Sequence, residues 1–405
     1  MPDSPTATHR SDWRLILLLG TLAACGPISI DMYLPSLPTL ADAFRIDASA
    51  AQITLTSFMF GFSIGLVLYG PLSDAYGRRP VLISGIVLYV LASIACAAAA
   101  TIEWLIAARF LQALGAGAAS VLAHAIARDA HEPADAARVL SMLAIIASIG
   151  PLLAPLLGGQ LLLLGGWRAV FVTLTLFGTL CAIISVRRIP ETWPAHKRHE
   201  NALIASFAVY GRLLTDPVAW GHVLCGGMAF AGMFAYITAT PFVYIDYFHV
   251  SAQAYGLFFA LNIIGIMTGN FLNVRLIAAF GAPRMIAASS LICLVASVSV
   301  FITCVTGWGG LRSIVVSLFF VVGVVGVLGA NCTTDLMYRY PRNAGAAAAL
   351  FGAMQLALGA LSSLAIGMLQ DGTPRAMGIV IGICGVATYV GCGLIARWRE
   401  RPARL

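Results

Sequence analysis

The sequence has 405 residues, of which 60% are hydrophobic and only 10% are charged, whereas a soluble globular domain has roughly 45–50% apolar and 25% charged residues. This excess of apolar residues excludes a water-soluble globular protein. The net charge is +7, but the basic residues do not cluster with stacking aromatic side chains, so nucleic acid is not an expected partner. We therefore expect a protein that lies almost entirely in a lipid bilayer.

Apolar runs of about 20 residues, the length that crosses a bilayer, recur along the whole chain. They predict an all-α membrane protein with twelve transmembrane helices. The predicted spans are about 14–37, 52–72, 80–99, 103–125, 137–163, 167–187, 218–242, 254–275, 283–305, 312–334, 344–367 and 376–396. No catalytic or nucleotide-binding motif has a suitable context, and the nine cysteines lack metal-like spacing. We expect no enzyme, no cofactor and no metal site.

The basic residues predict the orientation. If both termini are cytoplasmic, 19 of the 24 Lys and Arg residues fall on the cytoplasmic side, and Arg45, Arg168, Arg312 and Arg375 fall outside. This asymmetry follows the positive-inside rule. The remaining basic residue, Arg109, lies within the fourth predicted span.

The two halves of the chain match each other at a constant offset of 204 residues. Matching positions include Phe44 with Phe248, Ala48 with Ala252, Gly61 with Gly265, Gly65 with Gly269, Gly77 with Gly281 and Ser93 with Ser297. We therefore predict two six-helix halves, residues 1–187 and 218–405, joined by a cytoplasmic linker at 188–217. Such a duplication is typical of a transporter whose binding site lies between two rocking halves.

The loop between the second and third predicted spans carries the pattern G-x-L-x-D-x-x-G-R-R. Its defining residues are Gly70, Asp74, Gly77, Arg78 and Arg79. This pattern resembles the signature of the major facilitator superfamily. The resemblance implies two six-helix halves around a central cavity, and it implies that these residues form a conformational latch, which holds the halves in one state and releases them in the other.

The fifth predicted span resembles the antiporter motif of that superfamily. The motif residues are Gly150, Pro151, Pro155, Gly158 and Gly159. The glycine that usually precedes the second proline is replaced by an alanine at position 154. The resemblance implies antiport.

The first predicted span contains Asp31-Met-Tyr33-Leu-Pro35 and, three residues later, Pro38. This segment resembles the D-M-Y-L-P-x-x-P signature of the bicyclomycin-resistance (Bcr/CflA) drug exporters. The resemblance implies a proton-coupled multidrug efflux transporter in the bacterial inner membrane, which exports small amphipathic drugs by alternating access, and we expect a monomer. The alternatives are an exporter of a metabolite such as an amino acid or small peptide, and a membrane sensor that transports nothing.

Asp31 is the one carboxylate that does not fall in a loop or at a helix end, and Arg109 lies at a similar depth in its own span. If both helices face one cavity, burial disfavours the ionised carboxylate while the arginine favours it, so the pair could load and release a proton. Two alternatives stay open: Asp31 binds a cationic substrate, or Arg109 bonds to backbone carbonyls in a structural role. The predicted substrate cavity comprises Asp31, Tyr33, Arg109, Gln112, Tyr236, Asn262, Asn331 and Gln355.

Overall fold

The computed structural model describes residues 13–195, 198 and 202–398, and within these residues the chain is helical and contains no strand. The first half consists of Trp13–Ala23 with Cys25–Phe44, Ala48–Tyr76, Arg78–Ala97, Ile102–Asp129 and Pro133–Arg188. The second half consists of Pro217–Tyr247, Ala252–Thr306, Gly310–Arg339, Ala344–Leu369 and Arg375–Trp398. The predicted terminal segments 1–12 and 399–405 lie outside the described residues.

Two of these helices each contain two spans. Pro133–Arg188 is interrupted by non-helical backbone at Gly165 and Gly166, and Ala252–Thr306 is interrupted at Gly281. Each is more than 50 residues long, and about 20 residues suffice to cross a bilayer. With these breaks the described residues form twelve spans, six in each half, as predicted.

The glycines at the 204-residue offset occupy equivalent places in the two halves. Gly77, between the second and third spans, has a φ of +102°, and Gly281, between the eighth and ninth, has a φ of +76°. Such angles are readily adopted only by glycine. Both glycines therefore turn the chain sharply back into the membrane.

Small residues bring the spans of each half close together. A Cβ atom on Gly65 would lie 3.1 Å from the Cα of Gly117, so the second span approaches the fourth to backbone contact. A Cβ atom on Gly269 would likewise collide with the carbonyl of Gly323, where the eighth span meets the tenth. Close backbone approach through small residues is a common way to pack transmembrane helices.

The membrane side that carries Gly77 and residues 188–217 is called the linker face, and the opposite side the far face. Towards the far face the halves are in contact, and Thr56 on the second span donates a hydrogen bond of 3.0 Å to Ser363 on the eleventh. At the linker face they separate around a cavity of about 750 Å³, at which His124 and Arg128 are exposed. The protein is therefore open at the linker face.

The linker contains one helix, Ala202–Leu213, that the sequence did not predict. Its apolar run is 12 residues long, which is too short to cross a bilayer. The sequence therefore indicates only a connecting segment here. The helix packs against the second and eleventh spans, and Tyr210 lines the cavity.

Candidate transport site

The first span bends by 45° between Ala23 and Cys25, and its α-helical hydrogen-bond pattern is interrupted two turns later, where the predicted proton-binding residue stands. Its helix Cys25–Asp31 ends at that residue, and a short 3₁₀ turn, Leu34–Ser36, precedes the final helix Leu37–Phe44. Pro35 has no N–H group with which to bond the Asp31 carbonyl four residues earlier. Broken helices in transporters tend to line the binding site, so the local sequence itself places Asp31 at an irregular position of the kind that lines such sites.

Asp31 is buried, with 5% of its surface exposed. It lies within electrostatic range of the hydroxyl groups of Tyr236 and Tyr255. The Tyr236 hydroxyl accepts a 2.9 Å hydrogen bond from Nδ2 of Asn262, whose Oδ1 is buried without a partner among the described residues. The rings of both tyrosines pack against Phe259. We call this group, Asp31 with Tyr236, Tyr255, Phe259 and Asn262, the interface site.

Arg109 lies fully buried inside the first half. Its Nη1 donates to the carbonyl of Ser29, at 3.1 Å, and to Oε1 of Gln112, at 2.7 Å. Its guanidinium carbon lies 4.2 Å from the centre of the Phe58 ring and 4.7 Å from that of Tyr33. Aromatic faces attract a desolvated cation by about 2 kcal/mol or more, so these rings compensate in part for the burial of the charge.

The prediction that Asp31 and Arg109 meet as a charge pair does not hold in this conformation. Within the described residues no ion pair of 4.0 Å or less joins them. The reason is the break in the first span. The amide of Tyr33 bonds to the Ile30 carbonyl instead of continuing the α-helical pattern to Ser29, so the Ser29 carbonyl is available to the arginine.

The residues predicted to line one substrate cavity lie in three places. These are the interior of the first half (Tyr33, Arg109 and Gln112), the interface site (Asp31, Tyr236 and Asn262) and the linker-side part of the second half (Asn331 and Gln355). Gln112 donates to Ser93, and Asn331 donates to Asn273. None of the predicted residues lines the cavity at the linker face. Only the interface set brings the two halves together around a carboxylate.

The predicted latch is a compact charge cluster around a buried arginine. Arg78 pairs with Asp74 at 2.6 Å and with Asp129 at 2.9 Å, and only 4% of its side chain is exposed. Arg79 donates to the carbonyl of Val186 at 2.9 Å. These partners belong to the first half, and the second half faces the cluster across the cavity.

Two linker residues that the sequence analysis did not assign to the predicted latch also contact Arg78. Glu191 accepts a 3.0 Å hydrogen bond from the backbone N–H of Arg78, and the Trp193 ring lies 4.7 Å from the Arg78 guanidinium carbon. Trp193 also donates to the Asp74 carbonyl at 3.1 Å. Asp129 was missed in the same way. The available signal was that these residues share the linker face with the loop.

The glycines of the antiporter motif pack the fifth span onto the first. A Cβ atom on Gly150 would meet the Ile28 side chain at 2.8 Å, and one on Gly158 would collide with the carbonyl oxygen of Met32. The helix continues through Pro151 and Pro155 without a residue of non-helical φ and ψ before Gly165, and Gly159 is buried. The motif thus fixes the backbone on either side of Asp31.

The family model of the Major Facilitator Superfamily matches residues 19–363, which is most of the chain. The chain belongs to the major facilitator superfamily. A relative in Bacillus subtilis, named as an uncharacterized MFS-type transporter YdgK, is 35% identical over 95% of this chain and 96% of its own length. A bicyclomycin resistance protein homolog of Haemophilus influenzae is 29% identical over 94% and 96%, and multidrug resistance protein D of Escherichia coli is 27% identical over 92% and 93%.

Solved structures show the same major facilitator fold. The D-xylose–proton symporter superposes with a TM-score of 0.72 at 18% identity, over 93% of this chain and 97% of its own. The inward-open xylose transporter XylE of E. coli superposes with a TM-score of 0.71 at 18% identity, over 96% of each chain. The resemblance to the superfamily and to its bicyclomycin-resistance members is therefore confirmed, and the protein is a multi-pass membrane transporter of this superfamily.

Proposed function

We propose that this transporter exports small amphipathic drugs from the bacterial cytoplasm in exchange for protons. One observation carries the proposal most directly: Asp31, a buried carboxylate within a membrane span, stands where the helix of that span is interrupted and lies within electrostatic range of two tyrosines of the second half. The names of several relatives, which refer to bicyclomycin, chloramphenicol and multidrug resistance, support the choice of drugs as the substrate class.

Asp31 is the proposed proton carrier. In the closed interface a neutral carboxyl group is favoured, because an ionised one would be desolvated without a cationic partner. When the halves part, water reaches the site and the ionised form is favoured. A carboxylate that holds a proton in one state and a drug in the other couples the two fluxes by competition.

Arg109 is proposed to position Asp31 instead of pairing with it. Its bond to the Ser29 carbonyl and its contact with the Tyr33 ring hold the chain two residues before and two residues after Asp31. A buried arginine with these partners fixes the broken segment of the first span. Its effect on proton coupling is therefore indirect.

The proton gradient can drive substantial export. A proton that enters down 100 mV and one pH unit releases about 2.3 kcal/mol from the potential and about 1.4 kcal/mol from the pH difference. Together these sustain a gradient of a neutral drug of roughly a few hundred-fold per proton. Neither a cofactor nor a covalent step is needed.

The proposed orientation places the linker face and both termini in the cytoplasm, in the bacterial inner membrane, with the protein as a monomer. Residues 1–187 and 218–405 are then the moving halves, and 188–217 connects them. In this arrangement the 750 Å³ cavity is the cytoplasmic vestibule. The latch around Arg78 would bind the second half when the vestibule closes.

The test is a comparison of Asp31→Asn with the wild type in a strain that lacks its own drug exporters. We expect the wild type to raise resistance to at least one amphipathic drug, and Asp31→Asn to abolish that gain at equal protein level. In proteoliposomes in which the linker face points outward, an imposed pH gradient should drive drug uptake into the vesicles. We expect this uptake with the wild type and not with Asp31→Asn. Full gradient-driven transport by Asp31→Asn would refute the role of Asp31.

Asp42→Asn is the matched control, because Asp42 lies on the same span but is exposed. It should leave resistance and transport unchanged. If the wild type confers no resistance yet an amino acid or small peptide accumulates in the medium on expression, the substrate is a metabolite and the drug assignment is wrong.

A further inference from the structure

A second titratable pair lies far from the interface site, at the linker-side end of the second half. His222 is 1% exposed on the seventh span, and its Nε2 lies 3.0 Å from Oδ2 of Asp335 on the tenth. Its Nδ1 lies 2.8 Å from the carbonyl oxygen of Val218. Both ring nitrogens of one buried imidazole are therefore engaged at once.

The two contacts determine the number of protons that the pair holds. A carbonyl oxygen only accepts hydrogen bonds, so Nδ1 must carry a proton. A neutral imidazole with its proton on Nδ1 would present a bare Nε2 to an ionised carboxylate, and two acceptors would then face each other at 3.0 Å. The geometry thus needs one further proton between His222 and Asp335.

That proton belongs on the imidazole. The Asp335 side chain is 22% exposed, so its ionised form keeps part of its solvation. Arg339 follows it by four residues on the same helix, the spacing at which opposite charges stabilise each other. The pair is therefore an imidazolium bonded to a carboxylate, with Asp335 as the route by which the proton reaches water.

The surrounding charges do not offer His222 another partner. The spans packed against its helical turn are the tenth and the twelfth. At this end of the three spans and in the residues that flank them, the described ionisable groups include Asp216, Cys225, Cys332, Asp335, Tyr338, Arg339, Tyr340, Cys392 and Arg397. Tyr340 donates to Asp216, which is also 3.6 Å from Arg339, and Arg397 is exposed. Asp216 thus belongs to a second cluster, whereas Nε2 of His222 lies against Asp335.

We propose that His222 and Asp335 form a second proton-binding site, at which a proton is exchanged with the solution at the linker face. Without the second proton only one of the two contacts can keep its hydrogen bond, because a neutral imidazole has a single N–H group, on either Nδ1 or Nε2. A π-helical segment, Val223–Gly227, follows directly, and such segments often occur where a helix must adjust for function.

The seventh span would then carry proton-dependent contacts at both ends. Tyr236 of the interface site follows His222 by fourteen residues, which is about 21 Å along a helix. Loss of one proton at His222 would cost this span one of the two hydrogen bonds at its linker-side end, while Tyr236 near its other end lies within electrostatic range of Asp31. A role of this site in transport rests on the proposed proton coupling, whereas proton binding itself does not.

The test uses full-length protein labelled with ¹⁵N-histidine in detergent micelles at pH 7. Signals are assigned with His222→Gln and with His131→Gln, a matched control whose Nδ1 makes the same contact to a carbonyl four residues earlier, Ala127 O, at 2.9 Å. We expect His222 to show two protonated nitrogens in the wild type. In Asp335→Asn, an isosteric change whose amide can donate to Nε2, His222 should carry a proton on Nδ1 only.

A wild-type His222 with an unprotonated Nε2, or an imidazolium that persists in Asp335→Asn, would overturn the proposal. Size-exclusion chromatography and thermal unfolding of Asp335→Asn verify that the variant is folded. In proteoliposomes, Asp335→Asn should lose transport driven by the pH gradient but keep exchange of drug down its own gradient. If wild-type transport did not depend on the pH gradient, proton coupling as a whole would be refuted. The ¹⁵N-histidine spectrum would still show whether His222 and Asp335 bind a proton.

Discussion

The contact between Gly158 and the first span makes a sharp prediction about the packing around Asp31. A methyl group at position 158 would collide with the carbonyl oxygen of Met32, the residue after Asp31. A backbone oxygen cannot rotate out of the way. At Gly150, two turns earlier in the same motif, a methyl group would meet only the Ile28 side chain, at 2.8 Å, and that side chain can adopt another rotamer.

The expected magnitudes differ accordingly. Overpacking in a tight contact costs about 1–3 kcal/mol, and Gly158→Ala should lie at the upper end because the whole first span must shift. Replacing glycine by alanine within a helix gains about 1 kcal/mol. We therefore expect Gly158→Ala to lose about 2 kcal/mol of unfolding free energy, and Gly150→Ala to change it little.

Thermal unfolding in detergent and drug export measure the two variants side by side. For a half of this size, about 2 kcal/mol corresponds to a melting temperature lower by about 4–8 °C. Gly158→Ala should also lose export, because it displaces the segment that carries Asp31, whereas Gly150→Ala should keep it. Equal melting temperatures and equal export in the two variants would refute the reasoning.

Three further predictions concern other parts of the protein. Thr56→Val removes the hydrogen bond to Ser363 that joins the two halves, which costs about 1 kcal/mol. The far face should therefore open more often, and labelling of cysteines introduced there should rise about fivefold. Unchanged labelling would contradict this prediction. Asp129→Asn leaves the buried Arg78 with one carboxylate fewer and should lower the melting temperature in detergent, which an unaltered value would disprove. Burial raises the pKa of Tyr340 to about 12. The neutral hydroxyl therefore contributes fully to stability below about pH 10, and this contribution is lost as the pH approaches 12. Between these pH values the melting temperature of the wild type should fall more steeply than that of Tyr340→Phe.

The spans were predictable because they depend on a property that sequence shows directly, the length of apolar runs. The first span was the least accurate: the prediction ended it at residue 37, whereas helix Leu37–Phe44 extends it. Pro35 and Pro38 suggest a helix end, and they do interrupt the hydrogen bonds. The chain nevertheless continues in the same direction after a 3₁₀ turn, which no local pattern distinguishes from a stop.

The site was predictable in its residue types but not in its contacts. Depth along a helix can be counted, and depth alone suggested that Asp31 and Arg109 meet. Which way each side chain faces depends on helix rotation, and the break after Asp31 turns the Ser29 carbonyl into the partner of the arginine. Tyr236 and Asn262, which were both assigned to the predicted cavity, are joined by a hydrogen bond of 2.9 Å, and their contact with substrate stays a prediction.

The internal duplication preserved packing contacts but not the two buried charges Asp31 and Arg109. Gly65 and its counterpart Gly269 both make close backbone contact with the span two places further on. At the same offset of 204 residues, Asp31 corresponds to Ala235 and Arg109 to Ser313. The proposed alternating access needs close packing in both halves, because each half would move as a rigid body. A charge in the membrane is costly, so it is retained only where it is used, and the half that carries Asp31 is opposed by a half that offers aromatic rings. This division of roles fits a site that exchanges a proton for an amphipathic molecule.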